Sequence, residues 1–87
     1  MHLKSIITGK ESDMAKSIVQ NHIRRLRFES GEMTQQELSD LCGCTRQTII
    51  ALEQQKYVPS LILAIKIARV FGKTVDDIFQ LPDDGNV

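Results

Sequence analysis

The stretch from Thr34 to Gln54, TQQELSDLCGCTRQTIIALEQ, leaves this chain the least choice of fold. Thr34 and Glu37 have the spacing of a capping box, in which the threonine hydroxyl accepts from the amide three residues on and the glutamate reaches back to the threonine amide. A helix is therefore predicted to start here. Met33 and Leu38 occupy the two positions of a hydrophobic staple, and Leu38 and Leu41 are expected to continue one apolar face, with Ser39 as the small residue beside them. Gly43 can take the left-handed conformation that closes a helix, and Thr45, two residues later, can cap a second one. The turn between the two helices is very short.

In the second helix Ile49 and Leu52 share a face, which leaves Arg46, Gln47, Ile50 and Ala51 pointing away from the core. Those side chains suit base recognition: arginine can grip guanine O6 and N7 together, glutamine can pair with adenine N6 and N7, and an aliphatic group can meet the thymine methyl. Two helices with a tight turn, the second presenting such groups at its start, form a helix-turn-helix arrangement. The segment resembles the helix-turn-helix of the phage Cro and repressor class in Gln35, Leu38, Ser39, Gly43, Ile49 and Leu52.

The resemblance implies a compact five-helix, all-α, lambda-repressor-like domain over about residues 18–80, with helices 2 and 3 forming the motif. It also implies a sequence-specific transcriptional regulator, a repressor, that reads a short half-site of double-stranded DNA in the major groove. On that reading Arg46, Gln47, Ile50 and Ala51 meet bases, while Gln35, Thr45, Thr48, Lys56 and Tyr57 hold the backbone. The family's arginine near the end of helix 1 pairs with a glutamate near the end of the recognition helix, and those places fall here on Arg27 and Glu53. Two departures stand out: the loop ESGEM is about one residue longer than usual, and Gln55 stands where the family has a glycine.

Composition narrows the options. At 87 residues there is room for one domain, and a chain of this size buries roughly 60% of its extended surface. Lys plus Arg and Asp plus Glu both number 11, which argues against indiscriminate coating of nucleic acid and leaves room for a local basic patch. No run of 18 apolar residues appears, and MHLKSIITGK lacks the pattern of a signal peptide, so a cytoplasmic protein is expected.

Residues 1–17 are read as an irregular arm. Such arms can enter the minor groove with arginines, but this one offers Lys4 and Lys10, which favours an arm that packs or moves freely. From about Ala15 to Glu29, Ile18, Val19, His22, Ile23 and Leu26 recur at helical spacing, and Ser30 and Gly31 end the helix. Its Arg24 and Arg25 are either a solvated face or phosphate contacts. After the recognition helix, QQKYVPS is a loop, since Pro59 disfavours helix at Val58, and Ser60 can cap helix 4 over Leu61 to Phe71. Gly72 ends that helix, Thr74 caps a last short one carrying Asp76 and Asp77 in its first turn, and residues 81–87 are read as a flexible acidic tail.

Helix 4 carries more apolar residues than one core-facing stripe requires. Leu61, Ala64, Ile65, Ile67, Ala68 and Phe71 already fill the arc, so Ile62, Leu63 and Val70 are surplus, either covering the arm or forming a subunit interface. Cys42 and Cys44 form a lone C-x-C without the paired elements of a zinc site, so neither metal nor other cofactor is expected. No nucleophile, base and orienter can be assembled for catalysis. The competing reading is a protein-interaction module, such as the antitoxin of a toxin–antitoxin pair, with DNA binding autoregulatory.

Overall fold

The computed structural model describes residues 19–82, so the expectations for the arm at 1–17 and for most of the tail fall outside the described residues. Within them the order is β1 (Gln20–Asn21), α1 (Ile23–Glu29), α2 (Gln35–Cys42), α3 (Arg46–Glu53), α4 (Leu61–Phe71), α5 (Val75–Ile78) and β2 (Phe79–Gln80). Five helices make this an all-α fold of the lambda-repressor type. No described helix is long and apolar enough to cross a membrane.

The helix ends follow local chemistry. Thr34 accepts from the Glu37 amide while the Thr34 amide donates to Glu37, which completes the capping box of α2. Thr45 and Ser60 cap α3 and α4 in the same way, and Thr74 with Asp77 builds a second box at α5. At Asp77 the Thr74 backbone amide, helped by the Thr74 hydroxyl, holds the carboxyl below the usual carboxylate range.

Three helices close with one motif, in which the residue past the end turns left-handed and the next amide reaches back five residues. At α2, Gly43 has φ 72° and the Cys44 amide donates to the Ser39 carbonyl. At α4, Gly72 has φ 66° and Lys73 donates to Ala68. At α3 the same bonds form, Lys56 to Ala51, but the left-handed residue is Gln55 with φ 61°. A glutamine thus occupies a conformation that costs an L-residue on the order of 1 kcal/mol.

One core joins all five helices. Ile23 and Leu26 of α1 meet Leu38 and Cys42 of α2, Ile49 and Leu52 of α3, Leu63, Ile67 and Ala68 of α4, and Ile78 of α5. Met33, at the staple position, packs against this cluster. Ser39 is fully buried, and its hydroxyl donates to the Gln36 carbonyl on its own helix, so no polar group is stranded.

Tertiary contacts alter three expectations. First, the helix expected from about residue 15 begins at Ile23 in the described region, because Gln20 and Asn21 pair antiparallel with Gln80 and Phe79. The His22 amide donates to Ile78, and the Asn21 side chain accepts from the Ile23 amide, so Asn21 does the work of a cap. Second, Leu41 is 62% exposed. The buried face of α2 is Leu38, Ser39 and Cys42, and Leu41 lies past its edge. Third, Leu63 of α4 is in the core and Val70 packs against it, whereas Leu61 and Ile62 are 71% and 68% exposed and Ile65 is also exposed. Among the described residues the exposed apolar face of α4 therefore lies at its start, not at Leu63 and Val70.

Candidate nucleic-acid interface

A groove of about 1120 Å³ runs between α1, the start of α2 and α3. Arg24, Arg25, Arg27 and Phe28 line it from α1, Thr34, Gln35 and Gln36 from the entry to α2, and Arg46, Ile50, Glu53 and Gln54 from α3 and its end. Its wall thus carries four guanidinium groups on a chain of zero net charge. Local cationic excess of this kind attracts a polyanion without the penalty of an overall basic surface.

The two ends of α3 differ. Arg46 and Gln47, in the first turn, are exposed, while Ile50 and Ala51, one turn later, are half-buried. The first turn is held in shape by the Thr45 hydroxyl, which accepts from the Thr48 amide at 3.2 Å and lies 3.0 Å from the Thr48 hydroxyl. The last turn is tied down. The Asn21 side-chain amide donates to the Leu52 carbonyl at 2.7 Å. Arg27 Nε and Nη2 donate to Glu53 Oε2 and Oε1 at 2.7 and 3.0 Å, and Arg27 Nη1 donates to the Met33 carbonyl at 2.8 Å. The side chains of this pair are 15% and 9% exposed. A fork held this far from water exerts more force on its geometry than a surface ion pair.

Among the residues expected to meet the DNA backbone, the structure makes distinctions. Lys56 and Tyr57 are exposed in the loop after α3. Arg24 lies with its guanidinium 5.9 Å from the centre of the Phe28 ring, one turn along α1, where the aromatic face restricts the arginine. Arg25 is 3.7 Å from Glu29 in an exposed i, i+4 pair, an arrangement too weak to hold it away from another anion. Gln35 lines the groove, is half-buried, and its Nε2 donates to Glu53 Oε1 at 3.0 Å.

Comparison with known proteins gives the chain's family. The helix-turn-helix family profile matches residues 23–78, which is more than half of the chain. The chain belongs to the helix-turn-helix family. Its relatives include an uncharacterized HTH-type transcriptional regulator of Methanothermobacter thermautotrophicus, 56% identical over 64 residues covering 72% of this chain and 91% of the relative. Another, from Archaeoglobus fulgidus, is 47% identical across 76% of this chain and 93% of its own length. YgzD of Bacillus subtilis, also named as an HTH-type regulator, is 39% identical across 76% of this chain and 98% of its own. In this helix-turn-helix protein the matched span begins at Ile23, the first residue of α1, and ends at Ile78, the last of α5.

Sequence reasoning missed Asn21, Phe28, Gln36 and Gln54 as parts of the groove. Asn21 has a readable signal, an asparagine two residues before the first helical amide, but the helical spacing across it masks that signal. Phe28 lies four residues after Arg24, a spacing that brings the two together on any helix. The cysteines sit elsewhere, at the α2–α3 turn. Burial pushes both thiols up, the neighbouring Cys44 charge adds to this at Cys42, and Lys66 opposes it at each.

Proposed function

We propose that this chain, a DNA-binding transcriptional regulator of the helix-turn-helix class, acts in the cytoplasm as a repressor and reads a half-site as one member of a homodimer. The exposed first turn of α3 carries this reading: Arg46 lines a groove walled with arginines and the next residue, Gln47, is exposed, in the part of a recognition helix that meets base edges. Ile50 and Ala51 follow for apolar contact with bases. Thr45, Thr48, Lys56, Tyr57, Arg24 and Arg25 meet phosphates, positioning the helix without reading sequence.

The dimer follows from the charge. Arg24, Arg25, Arg46 and Lys56 allow one subunit to neutralise roughly two to four phosphates, which binds weakly at physiological salt. Two subunits on a palindrome place their α3 helices about 34 Å apart and double the electrostatic term. Exposed Leu61, Ile62 and Ile65 at the start of α4 provide an apolar surface suited to the second copy.

The test begins with DNA selected from a random pool, followed by sedimentation of the complex and a salt titration. Two subunits per site and a logarithmic salt slope of roughly −4 to −7 are expected. One subunit per site, or a slope as shallow as about −2, would remove the dimer from the account. Failure to enrich any sequence, with a different protein co-purifying in its place, would favour the interaction-module reading.

A further inference from the structure

We propose that Phe28 is a positioning residue that holds the Arg24 guanidinium ready for a DNA phosphate without neutralising its charge. The inference rests on the DNA-binding reading above and names the cation of α1 on which that reading leans most. Arg24, Arg25 and Arg27 all lie on α1 and all line the groove. Their partners differ. Arg27 is held by Glu53 and by the Met33 carbonyl. Arg25 has Glu29 one turn along the helix, 3.7 Å from its Nε, so a phosphate approaching it meets a carboxylate as well. Among the described residues Arg24 makes no ion pair.

Its partner is Phe28, also one turn along, with the guanidinium carbon over the ring and 5.9 Å from its centre. An aromatic face attracts a cation through its quadrupole, so the arginine is restrained while its full charge and its N–H donors stay free for an anion. A carboxylate in the same place would restrain it and cancel the charge. Phe28 itself is 58% exposed and lies outside the core cluster, so packing gives no reason for an aromatic ring here. It does, however, line the groove beside Arg24. A long side chain that is already ordered loses less freedom when it meets a phosphate, and the smaller loss appears as affinity. Because a phosphate contact carries no sequence information, the gain is the same on every duplex.

The experiment measures affinity for the selected site and for an unrelated duplex, with salt titrations, for Phe28→Leu, Phe28→Tyr, Arg24→Ala, and Phe28→Leu combined with Arg24→Ala. Arg24→Ala should reduce the magnitude of the logarithmic salt slope by about 0.9 for each bound subunit. Phe28→Leu should weaken both duplexes alike, by about two- to fivefold for each subunit, the scale of an exposed cation–π contact. Phe28→Tyr, which keeps the ring face, should stay within about 1.5-fold of the parent. In the Arg24→Ala background Phe28→Leu should have no further effect. Circular dichroism should show all four variants folded at the assay temperature, which separates positioning from loss of fold.

Ring-current shifts of the Arg24 side-chain protons, followed by NMR in the free protein, report the contact itself. They should be present in the parent and in Phe28→Tyr and absent in Phe28→Leu. A loss from Phe28→Leu that persists undiminished in the Arg24→Ala background would mean that the ring touches DNA directly. No loss from Phe28→Leu would mean that Arg24 needs no support, and a parental salt slope in Arg24→Ala would mean that it meets no phosphate. Each of these three results overturns the proposal. A parent that binds neither duplex removes the DNA-binding reading itself, an outcome distinct from all three.

Discussion

The first and last turns of α3 share one short helix and have opposite surroundings. Arg46 and Gln47 at the start are exposed, whereas Leu52 and Glu53 at the end are fixed by Asn21, Arg27 and Gln35, three side chains from outside the helix. An eight-residue helix is marginal by itself in water, so its direction has to come from tertiary contacts. Placing those contacts at one end leaves the other end stiff but unobstructed. Residues at the fixed end should therefore govern stability, and residues at the free end should govern binding.

The largest effect is expected at the fork. Removing Arg27 or Glu53 alone, by Arg27→Ala or Glu53→Ala, strands its partner, at a cost of about 3 to 5 kcal/mol for a buried pair. Replacing both with methionine should restore most of that loss. Denaturant unfolding of the three variants measures it, and two small, additive losses would show that the pair is merely solvated.

A smaller loss is expected at Asn21. Asn21→Ala leaves the Ile23 amide without its cap and removes one of the two donors to the Leu52 carbonyl, the other being the Gln55 amide. The expected cost is about 1 to 2 kcal/mol. Because the carbonyl keeps its second donor, a cost above that range would point to a wider rearrangement of β1.

The smallest change has the opposite sign. Gln55→Gly relieves a left-handed glutamine at the close of α3, and the added freedom of the unfolded chain offsets part of the gain, leaving about 0.5 to 1 kcal/mol of stabilisation. A rise in the unfolding midpoint at constant slope is the expected signature. A fall would mean that the Gln55 side chain makes a compensating contact.

The same contrast between local and long-range determinants explains what could be read in the sequence. Thr34, Gly43, Thr45, Ser60, Gly72 and Thr74 act within a turn or two of themselves, and each bounds the helix its chemistry predicted. The start of α1 was not legible, because it is set by pairing with Phe79 and Gln80, almost sixty residues away. On α4 nearly every position is apolar, so pattern alone could not choose the inward arc, and packing selected Leu63 and Val70 over Leu61 and Ile65. The bond from Gln35 to Glu53 was not legible for the same reason: its partner on α3 lies across the motif and leaves no periodic trace.

The central claim, that the free end of α3 reads sequence while the fixed end holds the fold, is tested most directly by Arg46→Ala and Gln47→Ala. For each variant the preferred DNA sequence is determined by selection and the stability by unfolding. Each should lose discrimination of about 1 to 3 kcal/mol at its own base position, with stability within about 0.5 kcal/mol of the parent. If both variants instead select the parent site with parental affinity and selectivity, α3 is not the recognition helix.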